Sequence, residues 1–228
     1  MIPEVSLSDF SRHLPLSQRG GGGDESTVTN DWRPLAGQCL LLVCDLLDGA
    51  TGEHWDAPSL RDGWRVRDVA GYLLWRLESS GTDRARSWLR GILIGRGSPA
   101  RGRRIIAVRL GGADPVVLLR RLRAVAGDRV ARRGPHGVAG LCAVIVDGYD
   151  IAGSLGRPLA FPSEATGAVA LATTLAASTP ITAVTRGRAL RATDAEWTVG
   201  RGPELAGTAE SIILFLAGRS GKLPQTGE

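Results

Sequence analysis

The chain of 228 residues is long enough for one large domain or for a main domain with a smaller one. A hydrophobic fraction of 43% and a charged fraction of 22% are typical of a globular protein, and three cysteines without CxxC spacing argue against a disulfide framework or a zinc ribbon. The arginines behind the formal net charge of +5 are spread along the chain without interleaved aromatic residues, so a nucleic-acid partner is not expected.

Residues 1–30 are rich in serine, glycine and charge, with four consecutive glycines at 20–23. Such a composition cannot bury a core, so we expect a flexible N-terminal tail. The tail has no basic segment followed by an apolar one, which argues against a secretory signal. No apolar run reaches the roughly 20 residues that a membrane span needs. These features predict a cytoplasmic protein without a membrane partner.

Residues 31–160 carry apolar side chains at helical spacing and predict a four-helix bundle. We expect a first helix from Asn30 or Asp31 to Asp48 and a second from Val66 through Leu77. A further segment at 84–94 continues the second helix, and the third and fourth helices cover 115–126 and 138–155. Loops are expected at 95–104 and 127–137.

Residues 161–228 predict a small α/β domain. A helix of small residues is expected at 164–177, followed by short strands at 188–193 and 197–199 and a last helix at 205–217. The predicted fold class is therefore mainly α, a four-helix bundle with a small C-terminal α/β domain.

Three blocks of the sequence carry a resemblance to a known family. They are WDAPSLRDGWRVRDVAGYL at 55–73, VIVDGYDI at 144–151 with LGRP at 155–158, and LRATDAEWTVGRGPELAG at 190–207 with LAGR at 216–219. In order and content they resemble the motifs of the mycothiol-dependent maleylpyruvate isomerase family, whose members have a DinB-like four-helix fold. The resemblance implies that fold and a small-molecule substrate.

The same resemblance implies a metal site, but the positions of its ligands hold different residues in this sequence. Members of the family bind a divalent metal, usually zinc, with a histidine on the second helix and an acid and a histidine on the fourth. The matching positions here are Tyr72, Ala143 and Asp147. Because alanine cannot ligate and a phenol ionises only near pH 10, we expect no metal and a divergent family member.

Two interpretations of Tyr72 and Asp147 remain open. A carboxylate within an apolar helix is costly to bury without a partner, and the phenol of Tyr72 is the nearest candidate donor across the bundle. The pair could act as acid (Tyr72) and base (Asp147), or it could only satisfy a polar core after metal loss.

Other residues are weaker candidates for the site. Arg219 matches a family arginine that can hold an anionic substrate, although it could also complement a helix dipole. His136 and Arg133, on the loop before the fourth helix, are candidate substrate-binding residues. Asp150 is expected to brace a loop near Arg157.

The sequence thus predicts a divergent small-molecule enzyme of specialised metabolism that performs isomerisation, cyclisation or thiol addition by metal-free acid–base catalysis. Mycothiol is a possible cosubstrate by resemblance. The alternatives are a non-catalytic small-molecule binding protein and a regulatory protein on the same scaffold, and the oligomeric state is not predicted.

Overall fold

The computed structural model describes residues 31–78 and 81–219, together with the backbone of 225–226. The predicted N-terminal tail lies outside the described residues. The helices are α1 (Arg33–Asp48), α2 (Gly52–Asp56), α3 (Val66–Glu78), α4 (Gly81–Ile94), α5 (Pro99–Gly111), α6 (Pro115–Val130), α7 (Val138–Leu155), α8 (Ser163–Leu175), α9 (Thr179–Thr185) and α10 (Ala209–Leu216). The strands are β1 (Ala189–Ala192), β2 (Thr198–Gly200), β3 (Glu204–Gly207) and β4 (Gln225–Thr226).

Four of these helices form a bundle. Helix α1 packs against α6 and α7, and α3 packs against the same two helices from the other side. Leucine, isoleucine and valine side chains fill the space between them, including the fully buried Leu40, Leu73, Leu122 and Ile145. Burial of these side chains is the main driving force for assembly. The predicted fold class, mainly α with a small C-terminal α/β part, is confirmed.

Helix α7 is the central helix of the bundle. It is buried at Leu141 and from Ala143 through Ala152, and it ends at Gly156, whose φ of +61° suits glycine. Among the described residues, one helix, Val138–Leu155, is both long enough and apolar enough to cross a membrane. Helices α8 and α9, which are bent by 114° relative to each other, would make a second candidate if they were counted as one span. The bundle buries 61% of α7, as is usual for a core helix.

Helices α4 and α5 form a hairpin, and α5 begins at Pro99, so the loop expected at 95–104 is correct for 95–98 and wrong from Pro99 onward. Ser98 caps α5 by accepting a hydrogen bond from the backbone N–H of Arg101 at 3.4 Å, and Pro99 occupies the first turn. This serine–proline pair is a helix start signal. The high content of glycine and arginine in 95–104 obscured it.

Helix α5 packs closely on α3. A Cβ added at Gly71 would lie 2.5 Å from the backbone N of Gly111. The two helices therefore touch backbone to backbone at this point, which only glycine allows. The close approach fixes the hairpin beside the loop that precedes α3.

The C-terminal part contains a sheet with strand order β2-β1-β3-β4. β1 pairs antiparallel with β2 and parallel with β3. The expected helix at 205–217 was placed too early, because Glu204–Gly207 is a strand and the helix begins at Ala209. Helices α8 and α10 pack on α7. The domain boundary at 160 stays a prediction.

Smaller differences concern helix ends. Helix α1 begins at Arg33, after the expected start at Asn30 or Asp31, and Asp31 accepts hydrogen bonds from both the backbone N–H and the guanidinium of Arg33. Helix α4 begins at Gly81, three residues before the expected start, and α6 continues to Val130.

Candidate functional site

A cleft of about 760 Å³ opens between α3, the N-terminal half of α5 and the end of α10. Its walls combine aromatic and apolar side chains with four arginines. The lining residues are Leu60, Arg61, Asp62, Trp64, Tyr72, Arg76, Ala100, Arg103, Ile181, Phe215, Gly218 and Arg219. The volume suits a small-molecule ligand.

The loop between α2 and α3 brings Arg61 to the floor of this cleft. Its two ends are joined by the hydrogen bond from Ser59 N–H to the Trp64 carbonyl at 2.9 Å and by the bridge between Pro58 and Arg65. Gly63 turns the chain with a φ of +71°. The closed loop holds Arg61 against the bundle.

Two buried carboxylates on α7 receive the Arg61 guanidinium. Asp147 and Asp150 are three residues apart, so they share one face of the helix, and neither is exposed. Arg61 Nη2 donates to Asp147, and Arg61 Nε donates to Asp150 Oδ2 at 3.2 Å. Asp150 also accepts from the backbone N–H of Leu60 at 3.0 Å. Burial raises the pKa of Asp150, while Arg61 opposes this rise.

Aromatic rings surround the same guanidinium. The Arg61 Cζ atom lies 4.5 Å from the centroid of the Trp64 ring and 5.2 Å from that of Tyr72. The Tyr72 ring meets Trp64 edge to face and stacks on Trp75, with centroids 5.3 Å apart in both pairs. Arg61 is therefore fixed by two carboxylates and by two ring faces.

Asp147 forms ion pairs with arginines instead of the expected hydrogen bond with Tyr72. Among the described residues, Asp147 accepts from Arg61 and from Arg76 Nη1 at 3.5 Å, and no hydrogen bond joins it to Tyr72. An arginine from a loop outcompetes the phenol because it brings a full positive charge to a buried carboxylate. Tyr72 still lines the cleft.

The three positions implied by the family resemblance do not fit a metal ion. Ala143 offers a methyl group, and the oxygens of Asp147 already face the guanidinium of Arg61. A cation placed there would meet another positive charge. Within 31–78 and 81–219, no cluster of three or more His, Cys, Asp or Glu side chains could hold a metal.

Arg219 lies on the cleft wall, and its role in substrate binding stays a prediction. Its Nε is buried, lies 3.6 Å from Asp150 Oδ2, and has no hydrogen-bond partner among the described side chains and backbone. Burial lowers the pKa of its guanidinium. Its nearest carboxylate, that of Asp150, lies just beyond hydrogen-bond distance, so the guanidinium keeps hydrogen-bonding capacity at the cleft wall.

The other two predicted binding residues are elsewhere. His136 and Arg133 are exposed on the loop before α7, and neither is among the residues that line the cleft. Arg133 pairs with Asp128, with Nη2 and Oδ1 2.6 Å apart. The backbone carbonyl of His136 accepts from Trp32 N–H, which ties this loop to the start of α1.

Sequence reasoning missed Arg61 and Arg76. Arg61 stands in the quoted block 55–73 between two tryptophans, and an arginine in such a setting is a candidate for a stacked, ion-paired position. Arg76 lies four residues after Tyr72 and so shares its helix face. Asp150 braces a loop, as expected, but the loop contains Leu60 and Arg61 and not Arg157.

Comparisons with known proteins give a fold likeness. No family model matches the chain, and no curated protein matches it. Two solved structures are similar to it, a mycothiol-dependent maleylpyruvate isomerase and a histidine-to-alanine mutant of that enzyme. Each is 14% identical, with a TM-score of 0.49, over 86% of this chain and 94% of the other.

Proposed function

We propose that the cleft binds a small anionic molecule such as a carboxylic acid. The observation that supports this most directly is the position of Arg219 on the cleft wall, with an Nε that makes no hydrogen bond and lies 3.6 Å from Asp150 Oδ2. Arg76 and Arg103 add positive charge to the same wall. Guanidinium groups are well suited to carboxylates because they donate two parallel hydrogen bonds.

We further propose that the protein is a divergent small-molecule enzyme that works by acid–base and electrostatic catalysis without a metal. Isomerisation of, or thiol addition to, an unsaturated acid builds negative charge beside the carboxylate. Fixed guanidinium groups stabilise such charge, and the Tyr72 hydroxyl is the candidate proton donor. Mycothiol as the thiol, and a cytoplasmic location, remain part of this proposal.

The ion pairs change the role proposed for Asp147. Asp147 is fully buried, and its carboxylate already accepts hydrogen bonds from Arg61 and Arg76, so it is not free to accept a proton from a substrate. We assign Asp147, with Asp150, to holding Arg61 in place. The proton acceptor in an isomerisation would then be the thiolate form of the thiol or the substrate's own carboxylate.

A non-catalytic binding protein is the second candidate, and one observation favours it. Both carboxylates under the cleft are already neutralised by arginine, and the remaining acid on the wall, Asp62, is exposed. A site of this kind could hold an acid without changing it.

Two measurements test these proposals. Calorimetry with maleate as the probe should show binding that weakens about tenfold or more in Arg219→Gln, since a charge-assisted hydrogen bond contributes about 1.5–3 kcal/mol. The exposed Arg186→Gln should bind as the parent does. Equal binding by both variants, or none by the parent, would refute the anionic cleft.

Turnover then separates the enzyme from the binding protein. A panel of unsaturated dicarboxylic acids is incubated with the protein, with and without a low-molecular-weight thiol, and analysed by mass spectrometry. A product that Tyr72→Phe no longer forms, while still binding maleate, supports the enzyme. Bound compounds recovered unchanged support the binding protein.

A further inference from the structure

Helix α4 turns its apolar side chains away from the protein. Gly91 is its buried residue, and Ser87 is half-buried on the same side. Trp88, Leu89 and Leu93 are exposed by 41%, 55% and 71%. A surface helix of a globular protein normally presents its large apolar residues to the core. In α4 the arrangement is reversed.

The exposed apolar residues form one stripe. Leu89 and Leu93 are four residues apart, and Trp88 with the half-buried Ile92 forms a parallel row beside them, so all four lie on adjacent parts of one helix face. On the opposite face, a Cβ added at Gly91 would lie 3.0 Å from the carbonyl oxygen of Gly102. The helix is thus held to α5 by small residues, and its large ones are free for contact.

The hairpin that carries this stripe is strongly basic. The segment from Gly81 to Gly111 contains one acidic residue, Asp83, and eight arginines, which are Arg84, Arg86, Arg90, Arg96, Arg101, Arg103, Arg104 and Arg109. Its net charge is therefore +7. The rest of the chain, with 20 basic and 22 acidic residues, carries −2, so this hairpin accounts for the whole excess of positive charge.

We infer that the α4–α5 hairpin is a docking surface for a membrane rich in anionic phospholipid. Arginines attract the lipid phosphates, and the stripe of tryptophan and leucine enters the interface, as in other interfacial amphipathic helices. A second copy of the chain is a poor occupant, because two hairpins of +7 would repel each other. Nucleic acid would leave the leucines without an apolar contact. The inference is independent of the function proposed for the cleft.

Vesicle co-sedimentation tests it. The full chain should sediment with vesicles of phosphatidylcholine containing about one third phosphatidylglycerol, hardly at all with phosphatidylcholine alone, and less as salt rises. The double variant Leu89→Asn/Leu93→Asn should lose about tenfold or more of the partition coefficient. The variant Val116→Asn/Leu175→Asn removes two side chains that are 72% and 81% exposed elsewhere, and it should bind as the parent does.

Four results would overturn the inference. The first is no preference for anionic vesicles. The second is an equal loss of vesicle binding in Leu89→Asn/Leu93→Asn and in the control Val116→Asn/Leu175→Asn, which would show that the stripe is not the contact. The third is a dimer in analytical ultracentrifugation that Leu89→Asn/Leu93→Asn dissolves, which would assign the surface to a second copy. Binding of duplex DNA that is insensitive to the leucine changes would assign the arginines to nucleic acid and also contradict it.

Discussion

Replacement of Arg61 by methionine tests the charge arrangement under the cleft. The change removes the guanidinium but keeps an apolar stem of similar length. Asp147 and Asp150 have no exposed surface, and the side chain of Arg61 is 9% exposed, so both ion pairs are buried. Removing one partner of a buried pair costs about 3–5 kcal/mol, and loss of the contact with Trp64 adds about 1 kcal/mol.

We therefore expect Arg61→Met to lower the free energy of unfolding by about 3–6 kcal/mol at pH 7. Because globular domains are stable by about 5–15 kcal/mol, a folded population should still be measurable. Urea denaturation followed by circular dichroism gives the value directly. In thermal unfolding the same loss corresponds to a Tm lower by roughly 6–20 °C for a protein of this size.

The pH dependence identifies the cause. Burial raises the pKa of Asp150 and Arg61 opposes that rise, so removal of Arg61 should raise the pKa of Asp150 further above about 3.9, the value of an unfolded aspartate. Between about 3.9 and this raised pKa, the folded variant binds more protons than the unfolded variant. The stability that the variant has lost relative to the parent is therefore partly regained as pH falls through this range. At pH 7 the deficit is complete.

A second substitution supplies the internal control. In Arg61→Met/Asp147→Asn one uncompensated charge is gone, so the double variant should lose less than the sum of the two single losses. Arg186→Met, an exposed arginine, should change stability by under about 0.5 kcal/mol. A loss below about 1 kcal/mol for Arg61→Met, or a deficit that grows on acidification, would refute the assignment of Arg61.

Three further expectations follow from described contacts. Gly71→Ala should destabilise the protein by at least about 1–3 kcal/mol in urea, because its Cβ would meet backbone at 2.5 Å, whereas Gly52→Ala, with nothing within 4 Å, should not. Burial raises the pKa of Asp150, so the contribution of this residue to the free energy of unfolding falls as pH rises from about 4. In Asp150→Asn the free energy of unfolding, measured against pH, should therefore change less in that range. Burial raises the thiol pKa of Cys39 and Cys44 to about 12, so a thiol reagent at pH 8 should leave both unmodified until the protein is denatured, which mass spectrometry can count.

The bundle could be predicted from the sequence because its apolar residues repeat at helical spacing. Helix α7 was placed with its observed bounds, since an apolar run ends there at a glycine and a proline. Helix α5 was not, because four arginines and several glycines gave 95–104 the composition of a loop. There the capping by Ser98 and the glycine contacts with α4 outweigh weak local propensity.

The site was predictable only in part. The sequence indicated that Asp147 is buried and needs a partner, and that Arg219 faces a ligand cleft. It did not indicate which donor reaches Asp147, because Arg61 lies 86 positions away along the chain and arrives through a closed loop. Pairing at such a distance depends on the folded geometry, which periodicity does not report. Arg133 and His136 were predicted to bind substrate only from their position before the fourth helix, and this position does not report that the folded chain keeps them away from the cleft.

The reversed orientation of α4 has a consequence for local opening. A helix that buries one glycine and no large side chain gains little free energy from its contact with the bundle. Its amide hydrogens should exchange with solvent well before those of α7, and the segment could swing out while the remaining helices stay assembled. Contact with a partner surface would slow that exchange and would be visible as protection confined to Gly81–Ile94.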